Sequence, residues 1–521
     1  MAKVCILTAG KGTRMGPYAA YANKGILPIK SKAILTHIIE RFPVGTEYVV
    51  ALGHLKEQVT GYLKIAHPDV TITYVNVDNY DGPGSGPGYS LSCCREHLLE
   101  PFYFVACDTL WTNELAFTET VNWFGVARVS EEKSSVYCNF VLETGKVVAI
   151  KDKQRVNPEN HAAFVGLCHI QDYEIFWQGL NNKETVAGEV QVSNGLQALV
   201  DQAEVTVKEI DWIDLGDHEK YKEAVSRYEN YDFSKSDEFL YITGEKVIKF
   251  FANQDVTARR VQKASLNPEV FPPITEYEGQ FYAYPFIPGS TMYAHNGPDL
   301  FKAFLKFMDE KVWKLRIDSD SEMIASICKK FYFDKTKERV DKYYTKYPDD
   351  PEPSLIRGVK VPPLKELLDQ VPWEEFYQGI PSFIHGDLQF DNILSTPEGG
   401  FVLLDWRQEF GGVVEFGDIY YDLGKLSGGI LLNYDYIKLN LLTYSEEDEK
   451  VEFDFATRFG GPDYLSILES FVKEKGWDLR KVRLLVPIIY LNMSPLHHHP
   501  FDKMLFALGK LLLFKRLNET Y

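Results

Sequence analysis

The sequence predicts an α/β protein of two or three domains, opening on a doubly wound, Rossmann-like sheet. Three observations carry that expectation. A chain of 521 residues exceeds what one hydrophobic core ordinarily organises. Through roughly the first 225 residues, short apolar runs alternate with helical stretches, the order that a mostly parallel sheet requires. The first of those runs, Lys3-Val4-Cys5-Ile6-Leu7, passes directly into a glycine-rich turn, Ala9-Gly10-Lys11-Gly12-Thr13-Arg14-Met15-Gly16.

Each element follows from the same logic. A continuous apolar run of five is the signature of a strand buried on both faces. Glycines after it let backbone N–H groups approach an anion, and nearby cations add charge. Taken alone, such a turn reads equally as an ordinary strand-to-helix connection. Helices are predicted over Ile34 to Arg41, Gly88 to Leu99 and His218 to Tyr228, and a second buried strand over Phe102 to Cys107, ending in Asp108. Between them, Asp81-Gly82-Pro83-Gly84-Ser85-Gly86-Pro87-Gly88 is too rich in glycine for a helix interior or a good strand. The polar run from Glu229 to Asp237 lacks periodicity and marks the domain boundary, giving a first domain over 1–230 and a second over 238–521.

Composition narrows the class. With 45% hydrophobic and 25% charged residues the chain reads as soluble and globular. A formal net charge of −18 argues against a nucleic-acid partner, though a local phosphate site remains compatible with it. Seven cysteines, with Cys93-Cys94 adjacent and no Cys-x-x-Cys pair, read as reduced thiols. The opening apolar run is too short for a signal peptide and no stretch has membrane-spanning length, so a cytoplasmic location is expected, with no membrane partner.

The opening stretch resembles the nucleotidyltransferases that activate sugar 1-phosphates or phosphocholine. Leu7, Ala9, Gly10, Gly12, Thr13, Arg14, Lys24, Leu27 and Pro28 match their Leu-x-Ala-Gly-x-Gly-Thr-Arg-Met and Lys-x-Leu-Pro signature; Asn23 stands where proline is usual. The resemblance implies attack by a phosphate monoester on the α-phosphorus of a nucleoside triphosphate, with release of pyrophosphate. Arg14 would sit on the triphosphate and Lys24 near the α-phosphate or acceptor phosphate. Asp108 and Asp214, the latter in Trp212-Ile213-Asp214-Leu215-Gly216, would hold Mg2+. The loop bearing Gly84 and Ser85 occupies the place that reads the base, but it departs from the usual Gly-Thr-Ala, so CTP or another NTP stays open. Lys153 is either an acceptor-phosphate contact or a surface lysine.

The second domain centres on Phe383 to Arg407, FIHGDLQFDNILSTPEGGFVLLDWR. Asp387 follows His385-Gly386, Asn392 comes five residues later, and the strand Phe401 to Leu404 delivers Asp405. In kinases one Asp accepts the proton of the attacking hydroxyl, while an Asn and a second Asp hold magnesium on the nucleotide phosphates. The pattern resembles the aminoglycoside phosphotransferase and choline kinase superfamily, as does the downstream Gly417-Asp418-Ile419-Tyr420-Tyr421-Asp422-Leu423. That implies a bilobal, kinase-like α+β domain, with a small lobe over about 238–290 and a helical large lobe over about 291–521. Asp387 would be the catalytic base, Asn392 and Asp405 the ligands of a second Mg2+, and Lys249, on an alternating strand, the grip on ATP. The run after Asp405 looks most like kinases of bacterial capsule and surface-glycan pathways. The three histidines His497 to His499 are adjacent, which disfavours a common metal ion.

Together the two domains imply a bifunctional kinase and nucleotidyltransferase acting on a sugar or polyol, with Mg2+, ATP and a second NTP. A choline or ethanolamine kinase fused to a phosphocholine cytidylyltransferase is the neighbouring alternative. A catalytically silent nucleotide-binding regulator is the alternative of another class. A homo-oligomer is compatible with the sequence.

Overall fold

The structure, a computed structural model, describes residues 2–118, 120–157, 159–182, 185–186, 188–227, 235–294, 297–315, 320–457 and 460–519. The sequence-predicted boundary falls largely on 228–234, outside the described residues. By contacts the chain divides into two units: one holds the described residues up to 227 with 235–253 and 276–283, the other 254–275 and 284–519.

The first unit is built on a mixed sheet. Its described strands run in the order Ile72–Asn76, Glu47–Leu52, Lys3–Leu7, Phe102–Ala106, His161–Ile170, Asn122–Ala127, Val205–Glu209, Lys146–Asp152 and Cys138–Glu143. The first four are parallel, Val4 lying opposite Tyr48 on one side and Tyr103 on the other. His161–Ile170 then joins antiparallel. Strand Lys3–Leu7 explains the unbroken apolar run: Val4 and Ile6 enter one core, Cys5 and Leu7 the other. Alternation across a pleat sends neighbours to opposite faces, so a strand covered on both must be apolar throughout.

The first two expected helices differ at their ends, and the expected end of the third, Tyr228, lies outside the described residues. The observed helices are Ile34–Ile39, Pro87–Cys93 and His218–Ser226. The second stops early because Arg95, Glu96 and His97 are exposed, with no apolar face to hold them; Cys94 N–H turns back to Leu91 O and a 3-10 turn follows.

Strands Glu238–Thr243 and Lys246–Phe251 pair antiparallel, within a sheet that also holds Phe281–Pro285 and Glu276–Glu278. The sequence reading groups these strands with the second domain. In the structure Phe239, Tyr241, Ile248 and Phe250 share the apolar core of the first unit. Tyr241 OH donates to Ile26 O at 2.7 Å, and Ile242 N–H to Ser31 O at 2.7 Å.

The second unit is dominated by helices, among them Lys335–Lys346, Ile419–Leu431, Leu479–Met493 and Phe501–Leu517. Helix Pro298–Phe307 passes into a π turn over Met308–Val312. A small sheet, Ser290–Thr291 beside the hairpin of Ile393–Ser395 and Phe401–Leu403, carries the loop of interest. Among the described residues no helix is long and apolar enough to cross a membrane.

Candidate functional site

Two sites emerge, one in each unit. In the first, the chain leaves the carboxyl end of Lys3–Leu7 and bends over a cleft of about 710 Å³. Leu7, Ala9, Gly10, Gly12, Thr13, Arg14, Lys24, Ser85, Asp108 and Lys153 all line it. Gly84 does not; its N–H is tied to Gly188 O at 2.9 Å. The end of the glycine loop, at Gly86 and Gly88, is held by backbone contacts that leave no room for side chains. A Cβ on Gly86 would meet Val190 O at 2.7 Å, and one on Gly88 would meet Gln191 O at 2.6 Å. Gly188 to Gln191 thus forms the facing wall, which sequence reasoning missed; its one signal was Gly188 in an otherwise unremarked stretch.

Lys24 is placed by Asn23. The Asn23 side chain donates to Thr8 O and His54 O at 2.9 and 2.8 Å and accepts from Gly25 N at 2.9 Å. Its own N–H reaches Gln58 Oε1 at 2.8 Å. So anchored, Lys24 meets Asp108 at 2.9 Å, with side chains 9% and 31% exposed. Burial alone would raise the Asp108 pKa, but Lys24, with Arg14 behind it, holds the carboxyl below its ordinary value.

Asp214 lies next door. Strand Trp212–Asp214 pairs antiparallel with Thr109–Trp111, setting Asp214 opposite Thr109, and Leu215 N–H donates to Asp108 O at 3.0 Å. Asp108 and Asp214 share a recess of about 210 Å³ with Arg14 and Lys153. Two carboxylates on adjoining backbone, facing a phosphate-sized cleft, are a hard-oxygen set that fits Mg2+ shared with phosphates. Asp214 also accepts from Gly216 N at 2.8 Å, Tyr137 OH at 2.6 Å and Lys220 Nζ at 2.6 Å. Tyr137 and Lys220 are a second omission of sequence reading, since neither lies in a recognised motif. Lys153, in the left-handed region at φ 49°, pairs with Glu189 at 3.6 Å.

In the second unit the loop that carries Asp387 is held from behind. Asp422 accepts from His385 N at 2.8 Å, Gly386 N at 2.7 Å and Trp313 Nε1 at 3.1 Å. His385 Nε2 donates to Leu404 O at 2.8 Å, and Nδ1 accepts from Asp387 N at 3.1 Å, which fixes its neutral tautomer. Burial lowers its pKa to about 4, in keeping with that assignment. Lys263 donates to Arg407 O at 2.8 Å and His385 O at 3.3 Å; burial lowers its pKa to about 7. Gly386, at φ 86°, has no room for a side chain: a Cβ would lie 2.7 Å from Arg407 Cβ.

The hairpin brings the expected metal ligands side by side. Ile393 pairs with Leu403, and Leu404 N–H donates to Asn392 O at 2.8 Å, so Asn392 and Asp405 flank its open end. Asn392 Nδ2 bonds Asp387 O at 2.8 Å, and Asp405 takes a left-handed φ of 53° with Arg260 at 3.7 Å. An amide and a carboxylate here suit a cation completed by phosphates. Among the described residues no group of three or more His, Cys, Asp or Glu forms a cage of its own, at His497 to His499 or elsewhere.

Asp387 is paired with Lys425 at 2.7 Å, their side chains 39% and 7% exposed. Burial would raise the Asp387 pKa; Lys425 overcomes it and holds the carboxyl far below its usual range. Lys425 escaped sequence reasoning, although it lies three residues after Asp422 on one helical face of Ile419–Leu431. Lys249 is buried at mid-strand opposite Leu240, in the sheet whose core belongs to the first unit.

Residues 4–128 match the family described as MobA-like NTP transferase domain. The bifunctional protein GlmU of Methanocaldococcus jannaschii is 24% identical over 217 residues, 40% of this chain and 50% of that protein. The UTP–glucose-1-phosphate uridylyltransferase AglF of Haloferax volcanii is 30% identical over 112 residues, 21% of this chain and 44% of that protein. The chain spans about half the length of the relatives it matches. Among solved structures, a UDP-glucose pyrophosphorylase complexed with UDP-glucose covers 44% of this chain and 98% of its own, at 19% identity and a TM-score of 0.39. The CTP:phosphocholine cytidylyltransferase of Streptococcus pneumoniae covers 43% and 98%, at 21% identity and a TM-score of 0.36. The N-terminal part of this chain carries a MobA-like NTP transferase domain.

Proposed function

We propose that the chain is a bifunctional transferase. Its second unit moves the γ-phosphoryl group of ATP to a hydroxyl of a sugar or polyol. Its first unit couples the resulting phosphate ester to a nucleoside monophosphate drawn from a second NTP. The observation that carries this reading is common to both sites: a carboxylate at the end of a strand or loop, kept ionised by a buried lysine, Lys24 on Asp108 and Lys425 on Asp387.

In the first unit an oxygen of the phosphate ester attacks the α-phosphorus. The bond from that phosphorus to the bridging oxygen breaks, and its electron pair leaves with pyrophosphate. The glycine loop offers backbone N–H groups to the phosphates, while Arg14 and Lys24 oppose the charge that builds up. Asp108 and Asp214 would hold Mg2+, which when bound neutralises phosphate oxygens. Support for a sugar 1-phosphate as acceptor comes from the activity in the name of AglF.

In the second unit the acceptor hydroxyl gives its proton to Asp387 as its oxygen meets the γ-phosphorus, and ADP departs. Lys425 and Gln389 both contact Oδ1 of Asp387, which leaves Oδ2 to take the proton. Asn392 and Asp405 would hold the cation on the nucleotide. The product is an activated donor of the sort consumed in surface-glycan assembly.

A two-stage assay tests this. Purified protein, ATP and Mg2+ are offered a panel of sugars, polyols, choline and ethanolamine, and then each remaining NTP. Pyrophosphate is expected only when ATP, one acceptor and one NTP are all present. Pyrophosphate released from an NTP and a ready-made sugar phosphate, with no ADP formed from any acceptor, would remove the kinase half.

A further inference from the structure

We infer that the hydroxyl compound phosphorylated at Asp387 is itself an anion, bearing a carboxylate or phosphate that cations of helix Lys335–Lys346 hold beside the catalytic loop. This rests on the kinase reading of that site.

Lys425, Lys335 and Arg407 act on Asp387, and Arg339 adds a further cation against Arg407 and Lys335, more positive charge than one carboxylate can neutralise. Lys425 takes its carboxylate. Lys335 Nζ lies 3.9 Å from the ring centre of Phe331 and 5.5 Å from that of Tyr421, and the Arg407 guanidinium sits 5.0 Å from the same Phe331 ring. Burial and then the like charges of Arg407, Arg339 and Lys425 push the Lys335 pKa far down, with Asp387 the one opposing charge among its main neighbours. Arg339 is likewise lowered by burial, with Glu338 beside it in sequence and Arg407 against it.

Among the described residues, Lys335, Arg339 and Arg407 form no ion pair. The Nε atoms of Arg339 and Arg407 are shut away from solvent without an acceptor. A buried donor left unsatisfied destabilises a fold, and half-buried cations that repel one another add to that cost. A fold keeps such a cluster where an anion arrives to relieve it. Lys335 and Arg339 stand four residues apart on one face of helix Lys335–Lys346, an element separate from the hairpin that carries Asn392 and Asp405. In this reading they address the acceptor rather than the nucleotide. An ammonium acceptor such as choline or an aminoglycoside would meet this cluster as a fifth like charge.

The test uses the full chain with ATP and Mg2+, and matched acceptors: glycerate against glycerol, glucuronate against glucose, then glycerol 3-phosphate, choline and ethanolamine. ADP release is expected for an anionic member at a kcat/KM at least tenfold above its neutral partner. The better of glycerate and glycerol 3-phosphate tells carboxylate from phosphate. Lys335→Met and Arg339→Gln should each raise KM for that acceptor about tenfold while leaving KM for ATP unchanged, a split that a merely structural role would not produce. Turnover of glycerol, glucose or choline as efficient as that of the anions overturns the inference and leaves the kinase standing. If no acceptor releases ADP, the kinase reading falls, and calorimetric titration with glycerate and glycerol 3-phosphate decides the pocket. Saturable binding abolished by Arg339→Gln upholds it, and no binding overturns it.

Discussion

The first-unit cleft is made mostly of backbone, whereas the second-unit site is made mostly of buried charge. Around Gly10, Gly12 and Ser85 the walls are loops, with Gly86 and Gly88 packed against the carbonyls of Val190 and Gln191, and Lys24 pairs with Asp108. Around Asp387 the loop is braced by Asp422, His385, Lys263 and Lys425, all buried. Backbone walls tolerate many side chains so long as the glycines remain. A charged network fails when one member is lost, because its partner stays buried without compensation.

The sharpest way to separate the two sites is to remove one carboxylate at a time. Asp387→Ala should lower phosphoryl transfer by about 10²–10⁴-fold, the usual contribution of a positioned base, and leave pyrophosphate release from an NTP and a sugar phosphate intact. Asp108→Ala should do the reverse. Paired ADP and pyrophosphate assays on both variants check this, and equal loss of both activities from either change would mean that the sites do not act separately.

Glycine replacement probes the walls. Gly386→Ala places a Cβ against Arg407 at a positive φ, and should destabilise the second unit by about 2–5 kcal/mol. Gly10→Ala meets nothing within 4 Å and has an ordinary backbone, so stability should hold while NTP binding weakens as the Cβ enters the cleft. Urea unfolding of the two variants, with NTP titration of the second, distinguishes them.

Acid should reach both units through buried histidines. His385 and His67 each have a folded pKa of about 4, lowered by burial from an ordinary 6.5. Between those values the unfolded chain binds a proton that the folded chain refuses. The stability each supplies is therefore complete above pH 6.5 and lost as pH falls towards 4, by at most roughly 3 kcal/mol for His385. Unfolding at stepped pH should show the slope flatten in His385→Asn for the second unit and in His67→Gln for the first.

How much of this was legible depended on whether a residue acts through local pattern or through distance. The run Lys3–Leu7, the glycine loop, Lys24, Asp108 and the spacing of Asp387, Asn392 and Asp405 stand in short local patterns that the sequence displays directly. Tyr137 escaped because it meets Asp214 from a loop 77 residues away, and Lys220 because it reaches Asp214 and Tyr137 from the start of helix His218–Ser226, in no motif; only folding joins the three. Arg339 and Lys335 escaped for the same reason. The strands at 238–251 read as a new domain because local alternation says nothing about which core receives Tyr241.

Asn23 offers the smallest and finest test of the backbone-built cleft, since the resembling family has proline there. Its φ of −66° already suits a proline ring, so Asn23→Pro introduces no backbone strain and trims the entropy of the unfolded chain by about 0.4–1 kcal/mol. Against that gain, it removes the N–H that satisfies buried Gln58 and the amide that binds Thr8 O and His54 O. Stranded buried groups cost roughly 1–3 kcal/mol each, so a net loss of at least about 2 kcal/mol is expected in urea unfolding. Because Lys24 follows directly, the KM for NTP should rise only a few-fold. A variant more stable than the parent would mean that the amide's bonds are replaced by water, and that the cleft draws its rigidity from the turn rather than from Asn23.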